Sequence, residues 1–262
     1  MARFTIGSSL KMYFGHRRTL DWTREVASTV ADHPATQDGT VEFFVIPTFP
    51  SLSAVVELAR PAGIAVGAQN LHWADSGPFT GEVSGAELAE IGCTLVEVGH
   101  AERRAQFAET DEIVARKTHA GLRNGLAPVL CVGEPERASA AEAIDFCLRQ
   151  LSSALAPARR AGTGGGLLIA YEPVWAIGAP EPAAPGHVRA VCAALRDHLV
   201  GDPLFPDAKV IYGGSAGPGL LPQIADDVDG MFLGRFAHDP DAVRTILDEV
   251  TELAAAEDRT RR

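Results

Sequence analysis

The chain has 262 residues, 46% of them hydrophobic and 22% charged, which is an ordinary composition for a globular protein. Its net charge of −11 argues against nucleic acid or an anionic membrane as a partner, because both would be repelled. No apolar run is long enough to span a bilayer, no signal peptide precedes the first strand-like segment, and no two of the four cysteines form a C-x-x-C pair. We therefore expect a cytoplasmic protein without a disulfide framework or a metal centre.

Apolar runs typical of buried strands alternate with amphipathic stretches typical of helices along the whole chain. The predicted strands are Phe4–Gly7, Val41–Ile46, Ile64–Ala68, Leu95–Val98, Ala127–Cys131, Leu167–Tyr171, Val210–Tyr212 and Met231–Leu233. The predicted helices are Thr19–Asp32, Leu52–Ala59, Ser84–Ile91, Asp111–Asn124, Ala140–Leu155, His187–Leu199, Gly219–Asp226 and Asp241–Ala255. Such alternation predicts an α/β fold with a parallel sheet, and eight units in about 250 residues are typical of a closed barrel. The alternative, an open doubly wound sheet, lacks support because no G-x-G-x-x-G follows the first strand. We predict one (β/α)8 barrel domain with eight parallel strands over residues 1–262, with a frayed tail over about residues 256–262.

Chemically active residues follow the ends of several predicted strands, where (β/α)8 barrels carry their active sites. Lys11 follows the first strand, His100 the fourth and Glu172 the sixth. The apolar sequence Pro-Val-Trp-Ala-Ile-Gly comes directly after Glu172 and ends at Gly178, which suits a lid over a base in a dry pocket. Each residue alone has an ordinary explanation, such as a helix-capping Glu, a loop His bonded to backbone or a surface Lys. Their convergence on one edge of the barrel favours a functional site.

Two glycine-containing turns follow the last two predicted strands. Gly213-Gly214-Ser215 offers closely spaced backbone N–H groups of the kind that bind phosphate, and Gly234-Arg235 follows the eighth strand. Loops after the seventh and eighth strands form a common phosphate site in (β/α)8 barrels. The pattern therefore predicts a small phosphorylated substrate, which local positive groups must attract because the protein is acidic overall.

Five motifs, spread over nearly the whole chain, resemble those of the triosephosphate isomerase family in their family order. They are Gly67–Asn70, Phe79–Glu82, Gly99–Arg104, Tyr171–Gly178 and Tyr212–Ser215. The resemblance implies a cofactor-independent isomerase, an intramolecular oxidoreductase that interconverts small sugar phosphates through an enediolate. It implies Glu172 as the catalytic base, His100 as the electrophile and Lys11 as the electrostatic anchor.

The resemblance also implies how substrate and subunits bind. Phosphate would be held by the backbone N–H groups of four residues, Gly178, Ser215, Gly234 and Arg235, beside Ser9 and Lys11. The segment Gln69–Glu82 resembles the family's dimer loop, which implies a homodimer in which Thr80 reaches toward Lys11 of the partner subunit. The apolar residues in this loop support that expectation, since they suit an interface better than water.

Four departures from the family pattern bear on the substrate. Ser9 stands where the family has Asn, and Ala101 stands where it has Ser. Past the lid tip, Pro180 replaces a glycine and has no N–H, so a hydrogen bond from it to Ser215 cannot form and we expect looser lid closure. Arg235 replaces a glycine, so a requirement for positive φ there would force a different loop path. Its side chain would either pair with an acid such as Asp239 or Asp241, or reach the phosphate.

Two functions of one family and one of another class remain open at this point. Triosephosphate isomerase, which interconverts dihydroxyacetone phosphate and glyceraldehyde 3-phosphate in glycolysis and gluconeogenesis, is the leading prediction. The alternative is an isomerase of a four-carbon ketose phosphate such as erythrulose phosphate, which the four departures favour. A non-catalytic barrel that binds phosphorylated metabolites is the third, and intact Lys11, His100 and Glu172 argue against it, because a binding protein needs no base.

Overall fold

A computed structural model describes residues 2–260, with side chains described as far as residue 256. Eight parallel strands close into a barrel in sequence order, and β1 pairs with both β2 and β8. The strands are β1 Phe4–Ser9, β2 Val41–Ile46, β3 Ala65–Ala68, β4 Leu95–Val98, β5 Ala127–Val132, β6 Leu168–Tyr171, β7 Lys209–Tyr212 and β8 Gly230–Leu233. The predicted fold class is confirmed, and each predicted strand is present with bounds that differ by at most two residues.

The helices surround the barrel between successive strands. They are α1 His16–Asp32, α2 Pro34–Gln37, α3 Leu52–Ala59, α4 Gly85–Ile91, α5 Ala101–Phe107, α6 Asp111–Arg123, α7 Ala140–Ala161, α8 Pro185–Leu199, α9 Leu221–Ile224 and α10 Pro240–Thr260. Short 3-10 helices span Phe49–Ser51, Arg60–Ala62, Val174–Ala176 and Arg235–His238. Two of the helices, α2 and α5, are not predicted from the sequence, and α9 is shorter than predicted. Helix α7 continues past Leu155 and ends where Gly162 adopts a φ of 66°.

Apolar side chains fill the barrel below the strand ends. Phe44 of β2 stacks on Phe232 of β8 with ring centroids 5.6 Å apart. Gly7 of β1 makes room for this pair, because a Cβ there would lie 1.9 Å from the Phe44 ring. The interior around this pair is therefore a packed core, and ligands of (β/α)8 barrels bind above it, at the carboxyl ends of the strands.

Four buried thiols, Cys93, Cys131, Cys147 and Cys192, are all free. Within the part of the chain that the structure describes, no helix is both long and apolar enough to cross a membrane. The tail predicted to fray from about residue 256 overlaps the last turns of α10, and its final two residues lie outside the described part.

Candidate active site

One cavity of about 770 Å³ opens at the carboxyl ends of the strands. All eight residues predicted for the site line it: Ser9, Lys11, His100, Glu172, Gly178, Ser215, Gly234 and Arg235. The barrel thus brings together residues from the ends of β1, β4, β6, β7 and β8, as the alternating pattern of the sequence predicts. Other residues that line it include Tyr13, Ile177, Pro180, Phe232 and Phe236.

Glu172 is held rigidly by the strands on both sides of β6. Its N–H donates to the Val132 carbonyl at 2.8 Å. A Cβ at Gly133 would lie 2.0 Å from the Glu172 carbonyl oxygen, and one at Gly213 would lie 2.5 Å from its Oε1. Glycine is therefore needed at both neighbours for the carboxylate to lie where it does. Glu172 Oε2 is buried and has no hydrogen-bond partner among the described residues, so it is free to accept a proton.

His100 caps the N-terminus of α5, and this contact fixes its tautomer. Its Nδ1 accepts a hydrogen bond from the Glu102 N–H at 3.1 Å, so a neutral ring carries its proton on Nε2. Nε2 lies 3.5 Å from Glu172 Oε2. Burial and the neighbouring Lys11 ammonium lower the pKa of His100 to about 4. The ring is thus a neutral hydrogen-bond donor that faces the carboxylate across the cavity.

Lys11 supplies positive charge at the floor of the cavity. Its Nζ donates to Glu102 Oε1 at 2.7 Å. Burial opposes the charge, but that hydrogen bond and the carboxylates of Glu102, Glu172 and Glu97 outweigh it, so the pKa of Lys11 is raised. Lys11 has a φ of 45° and Ser215 a φ of 53°, in the left-handed region that non-glycine residues rarely adopt. Two strained residues at one site are typical of a functional position.

Burial, followed by the charge of Glu97, raises the pKa of Glu172 to about 8. A carboxylate with this pKa is a far stronger base than an exposed one. Together with a neutral donor and a nearby ammonium, it can remove a proton beside a carbonyl and stabilise the resulting oxyanion.

The raised pKa of Glu172 predicts that Glu172→Gln stabilises the protein at alkaline pH. The folded pKa of about 8 exceeds the ordinary value of 4.5, so the protonated folded state is favoured at low pH. This stabilisation is lost as the pH rises through about 8. Glutamine carries no charge at any pH. The free energy of unfolding of Glu172→Gln should therefore exceed that of the wild type by nothing near pH 4 and by a few kcal/mol near pH 9, which corresponds to a Tm difference of several degrees. Thermal unfolding across that range measures it, and a pH-independent difference would contradict it.

The lid, residues 173–183, is fixed at both ends. Trp175 Nε1 donates to Glu134 Oε1 at 2.8 Å, and the Ala183 N–H donates to the Tyr212 hydroxyl at 3.1 Å. At the lid tip, Arg235 Nη2 lies 3.5 Å from the Gly178 carbonyl oxygen. The lid therefore contacts loops that follow β5, β7 and β8.

Four backbone donors point to an anion site under the lid. Within the described part of the chain, no hydrogen bond uses the N–H of Gly178, Ser215, Gly234 or Arg235. All four residues line the cavity, and Lys11 lines it too. Unpaired N–H groups of residues that line one cavity are available as donors to a phosphate bound there. No group of three or more His, Cys, Asp or Glu side chains among the described residues could hold a metal ion.

Comparison with known proteins decides the family. A family model described as triosephosphate isomerase matches residues 4–250. The chain belongs to the triosephosphate isomerase family. It is accordingly an isomerase of the cofactor-independent aldose–ketose class, an intramolecular oxidoreductase, as the sequence predicts.

Individual relatives carry two different names. The L-erythrulose-1-phosphate isomerase of Pectobacterium atrosepticum is 52% identical over 253 residues, which cover 97% of this chain and 98% of that protein. The L-erythrulose-1-phosphate isomerase of Rhizobium etli is 37% identical, covering 97% of this chain and 94% of that protein. The triosephosphate isomerase of a Synechococcus species is 36% identical, covering 95% of this chain and 97% of that protein.

The departures from the triosephosphate isomerase pattern have different outcomes in the structure. Pro180 lacks an N–H, yet Ser215 still contacts the lid, because its Oγ lies 2.8 Å from the Ala176 carbonyl oxygen and 3.0 Å from that of Ala179. The side-chain hydroxyl thus acts as the donor where the backbone donor is lost. The looser lid closure that we expect from the sequence stays a prediction.

Arg235 also fits without strain. It is absent from the described non-glycine residues with positive φ and begins a 3-10 helix, so the family's glycine position does not require left-handed backbone in this chain. None of the ion pairs found between described residues joins it to Asp239 or Asp241. Its guanidinium instead lies at the mouth of the cavity beside Gly178.

Three carboxylates near the active site are missed by the sequence analysis. Glu102 pairs with Lys11, Glu134 anchors the lid through Trp175, and Glu97 lies beneath Ser9. Glu102 lies within the motif around His100 and could have been chosen from it. Glu97 has a different signal: it is the one charged residue of β4, on the same face as the barrel-lining Leu95.

Proposed function

We propose that this protein isomerises a four-carbon ketose phosphate, with L-erythrulose 1-phosphate as the substrate. The relative at 52% identity is named for that compound, whereas a relative named triosephosphate isomerase is 36% identical. This proposal prefers the alternative of the sequence analysis to its leading prediction. Under this proposal the reaction is not a step of glycolysis or gluconeogenesis.

The substrate's own chemistry defines the proton that moves. In L-erythrulose 1-phosphate the carbonyl is C2, C1 carries the phosphate ester, and only C3 bears a hydroxyl next to the carbonyl. An enediolate therefore forms by loss of the C3 proton. Reprotonation at C2 moves the carbonyl to C3, and the product is an erythrulose phosphate whose phosphate lies at the other end of the chain. The proton transfer is that of an aldose–ketose isomerase, but here it converts one ketose into another because C3 is not a chain end.

Glu172 takes the C3 proton and returns it to C2 in this proposal. The observation that carries it is the 3.5 Å approach of His100 Nε2 to the unpartnered Glu172 Oε2. That distance suits a donor and a base that act on neighbouring atoms of one small substrate. His100 donates to the two oxygens of the enediolate in turn, and Lys11 balances their negative charge.

The phosphate occupies the anion site under the lid. Backbone N–H groups of Gly178, Ser215, Gly234 and Arg235 donate to it, and the guanidinium of Arg235 adds charge in an acidic protein. Arg235 also contacts the carbonyl of Gly178 at the lid tip, so phosphate and lid share one side chain. Ser9 binds the part of the substrate that lies beyond the reacting carbons.

One preparation tested on two substrates decides between the functions. We expect kcat/KM for L-erythrulose 1-phosphate to equal or exceed that for dihydroxyacetone phosphate, with Glu172→Gln as the control for contaminating isomerases. A hundredfold preference for the triose would overturn the proposal and favour an ordinary triosephosphate isomerase. Binding of both compounds without turnover would support the non-catalytic barrel.

The proposal includes a cytoplasmic homodimer. Four free, buried thiols suit a reducing compartment. The loop Gln69–Glu82 exposes part of Phe79, whose ring packs 4.1 Å from His72, and Gln69 donates to the Lys11 carbonyl at 3.0 Å. A partner that covers this loop would therefore also support the backbone of Lys11.

Phe79→Asp should convert the dimer to a monomer and lower activity, because it inserts a charge into the apolar interface. Sedimentation equilibrium at micromolar concentration gives the mass of both forms. Val200→Asp is the matched control, since Val200 is a 75% exposed apolar residue outside the loop and should leave the dimer intact. A wild-type monomer with full activity would contradict the prediction.

A further inference from the structure

A buried carboxylate lies under the site, on the interior face of a strand whose neighbouring interior residue is apolar. Glu97 occupies the interior face of β4, two residues after Leu95, and is 4% exposed. Its Oε2 accepts a hydrogen bond from Ser9 Oγ at 2.9 Å, and its Oε1 lies 4.0 Å from His100 Nε2. A carboxylate in such a position costs free energy, so its retention calls for a function.

The hydrogen bond to Glu97 determines what Ser9 can offer to a ligand. A serine hydroxyl has one proton and two lone pairs. When that proton is donated to Glu97, the Ser9 oxygen has only acceptor capacity left for the cavity that it lines. Ser9 therefore binds a group that donates, such as a hydroxyl, and offers no proton to a carbonyl or enediolate oxygen.

The proposed substrate has one such group that no other residue serves. The triose and tetrulose phosphates share the carbonyl, the adjacent hydroxyl and the phosphate, which His100, Lys11 and the lid already bind in the proposed function. The tetrulose adds a hydroxymethyl group on C3, the carbon that Glu172 deprotonates. Its terminal hydroxyl is two bonds from that carbon, and Ser9 lines the same cavity as Glu172 and His100, so Ser9 is a partner that this hydroxyl can reach.

We propose that Glu97, acting through Ser9, is a positioning residue that makes the site selective for a hydroxyl beyond the reacting carbons. This inference rests on the proposed function and deepens it. Glu97 does not touch the substrate; it orients the Ser9 hydroxyl so that the oxygen lone pairs face the cavity. The family's Asn at this position, with its N–H donors, would present the opposite polarity.

Glu97 has a second, separable effect, through its charge. Burial raises the pKa of Glu97 to about 7, against the hydrogen bond from Ser9. The negative charge of Glu97 in turn contributes to raising the pKa of Glu172. The charge of Glu102 acts in the same direction, and that of Lys11 in the opposite direction. Any neutral residue at position 97 should therefore move the acidic limb of the kcat/KM profile to lower pH, for every substrate alike.

Four variants distinguish the hydrogen bond that Glu97 accepts from Ser9 from the effect of the Glu97 charge on Glu172. Each is assayed with L-erythrulose 1-phosphate and with dihydroxyacetone phosphate. Ser9→Ala and Glu97→Leu should lower the tetrulose-to-triose ratio of kcat/KM about tenfold, the value of one hydrogen bond. Glu97→Gln keeps an oxygen that accepts the hydrogen bond from Ser9, so the tetrulose-to-triose ratio of kcat/KM should stay unchanged. The acidic limb of the kcat/KM profile of this variant should nevertheless shift to lower pH. Ser8→Ala is the matched control, because Ser8 neighbours Ser9 on β1 with a buried Oγ that has no hydrogen-bond partner among the described residues. It should change neither quantity.

The ratio isolates selectivity, because effects on the shared proton transfer cancel between the two substrates. If Ser9→Ala and Glu97→Leu reduce both substrates by the same factor, the inference is wrong, while a wild-type preference for the tetrulose still supports the proposed function. If the wild-type enzyme itself prefers the triose a hundredfold, the proposed function fails first. Should Glu97→Leu not fold by circular dichroism, the ratio measured with Ser9→Ala decides alone.

Discussion

Glu172→Gln should lower kcat by about 10²–10⁴-fold with either sugar phosphate, because the amide cannot remove a proton from carbon. The loss should appear in kcat more than in KM, since the base acts in the transition state. The variant should fold normally, because glutamine fits between Gly133 and Gly213 as the carboxylate does. Steady-state kinetics measure the effect, and exchange of the substrate's carbon-bound proton with D2O reports the missing step directly.

The alkaline stability of Glu172→Gln provides an internal control for this experiment. A variant that is inactive yet more stable than the wild type at pH 9 cannot owe its inactivity to misfolding. Turnover within tenfold of the wild type, with proton exchange intact, would show that another group is the base.

His100→Ala should lower kcat by about 10²–10³-fold, because it removes the donor that stabilises the enediolate. Because the ring of His100 is neutral, a second variant with another neutral hydrogen-bond donor can be compared with His100→Ala. Glutamine at position 100 also carries a neutral N–H donor, so His100→Gln should retain more activity than His100→Ala. Stopped assays of both variants from pH 6 to 9 test this.

The pH profile of the wild type checks the same assignment. Since the pKa of His100 is lowered to about 4, no limb that belongs to this ring should appear between pH 6 and 9. If imidazolium were the active form, Gln and Ala would be equally poor substitutes, and activity would fall steeply above the pKa of the ring.

The sequence predicts the barrel, and the barrel places the residues predicted for the site along one cavity, for one physical reason. Strands buried on both faces give continuous apolar runs, and the barrel places whatever follows each run at the same edge. Lys11, His100 and Glu172 could therefore be brought together without knowing a single contact. The residue at position 235 shows the limit of this reasoning, since its φ depends on the local loop path.

Other features depend on packing that no periodicity reveals. Helix α5 has the sequence Ala-Glu-Arg-Arg-Ala-Gln-Phe, which lacks an apolar face, and its N-cap is His100 itself. Ser215 replaces a missing backbone donor with its side chain, a contact that requires the lid and the β7 loop to be known together. In the sequence Glu97 is only a charged residue within an apolar strand. Its role depends on the hydrogen bond from Ser9, which lies 88 positions earlier and contacts Glu97 only in the folded protein.

The stacked pair Phe44 and Phe232 has a kinetic consequence. Phe232 lines the cavity and stacks on Phe44 in the barrel interior, so the space for a ligand is closed on that side. Reactant and product share the cavity that remains, and one must leave before the other binds. Product inhibition should therefore be purely competitive, and the net direction of flux should follow the concentrations of the two isomers outside the lid.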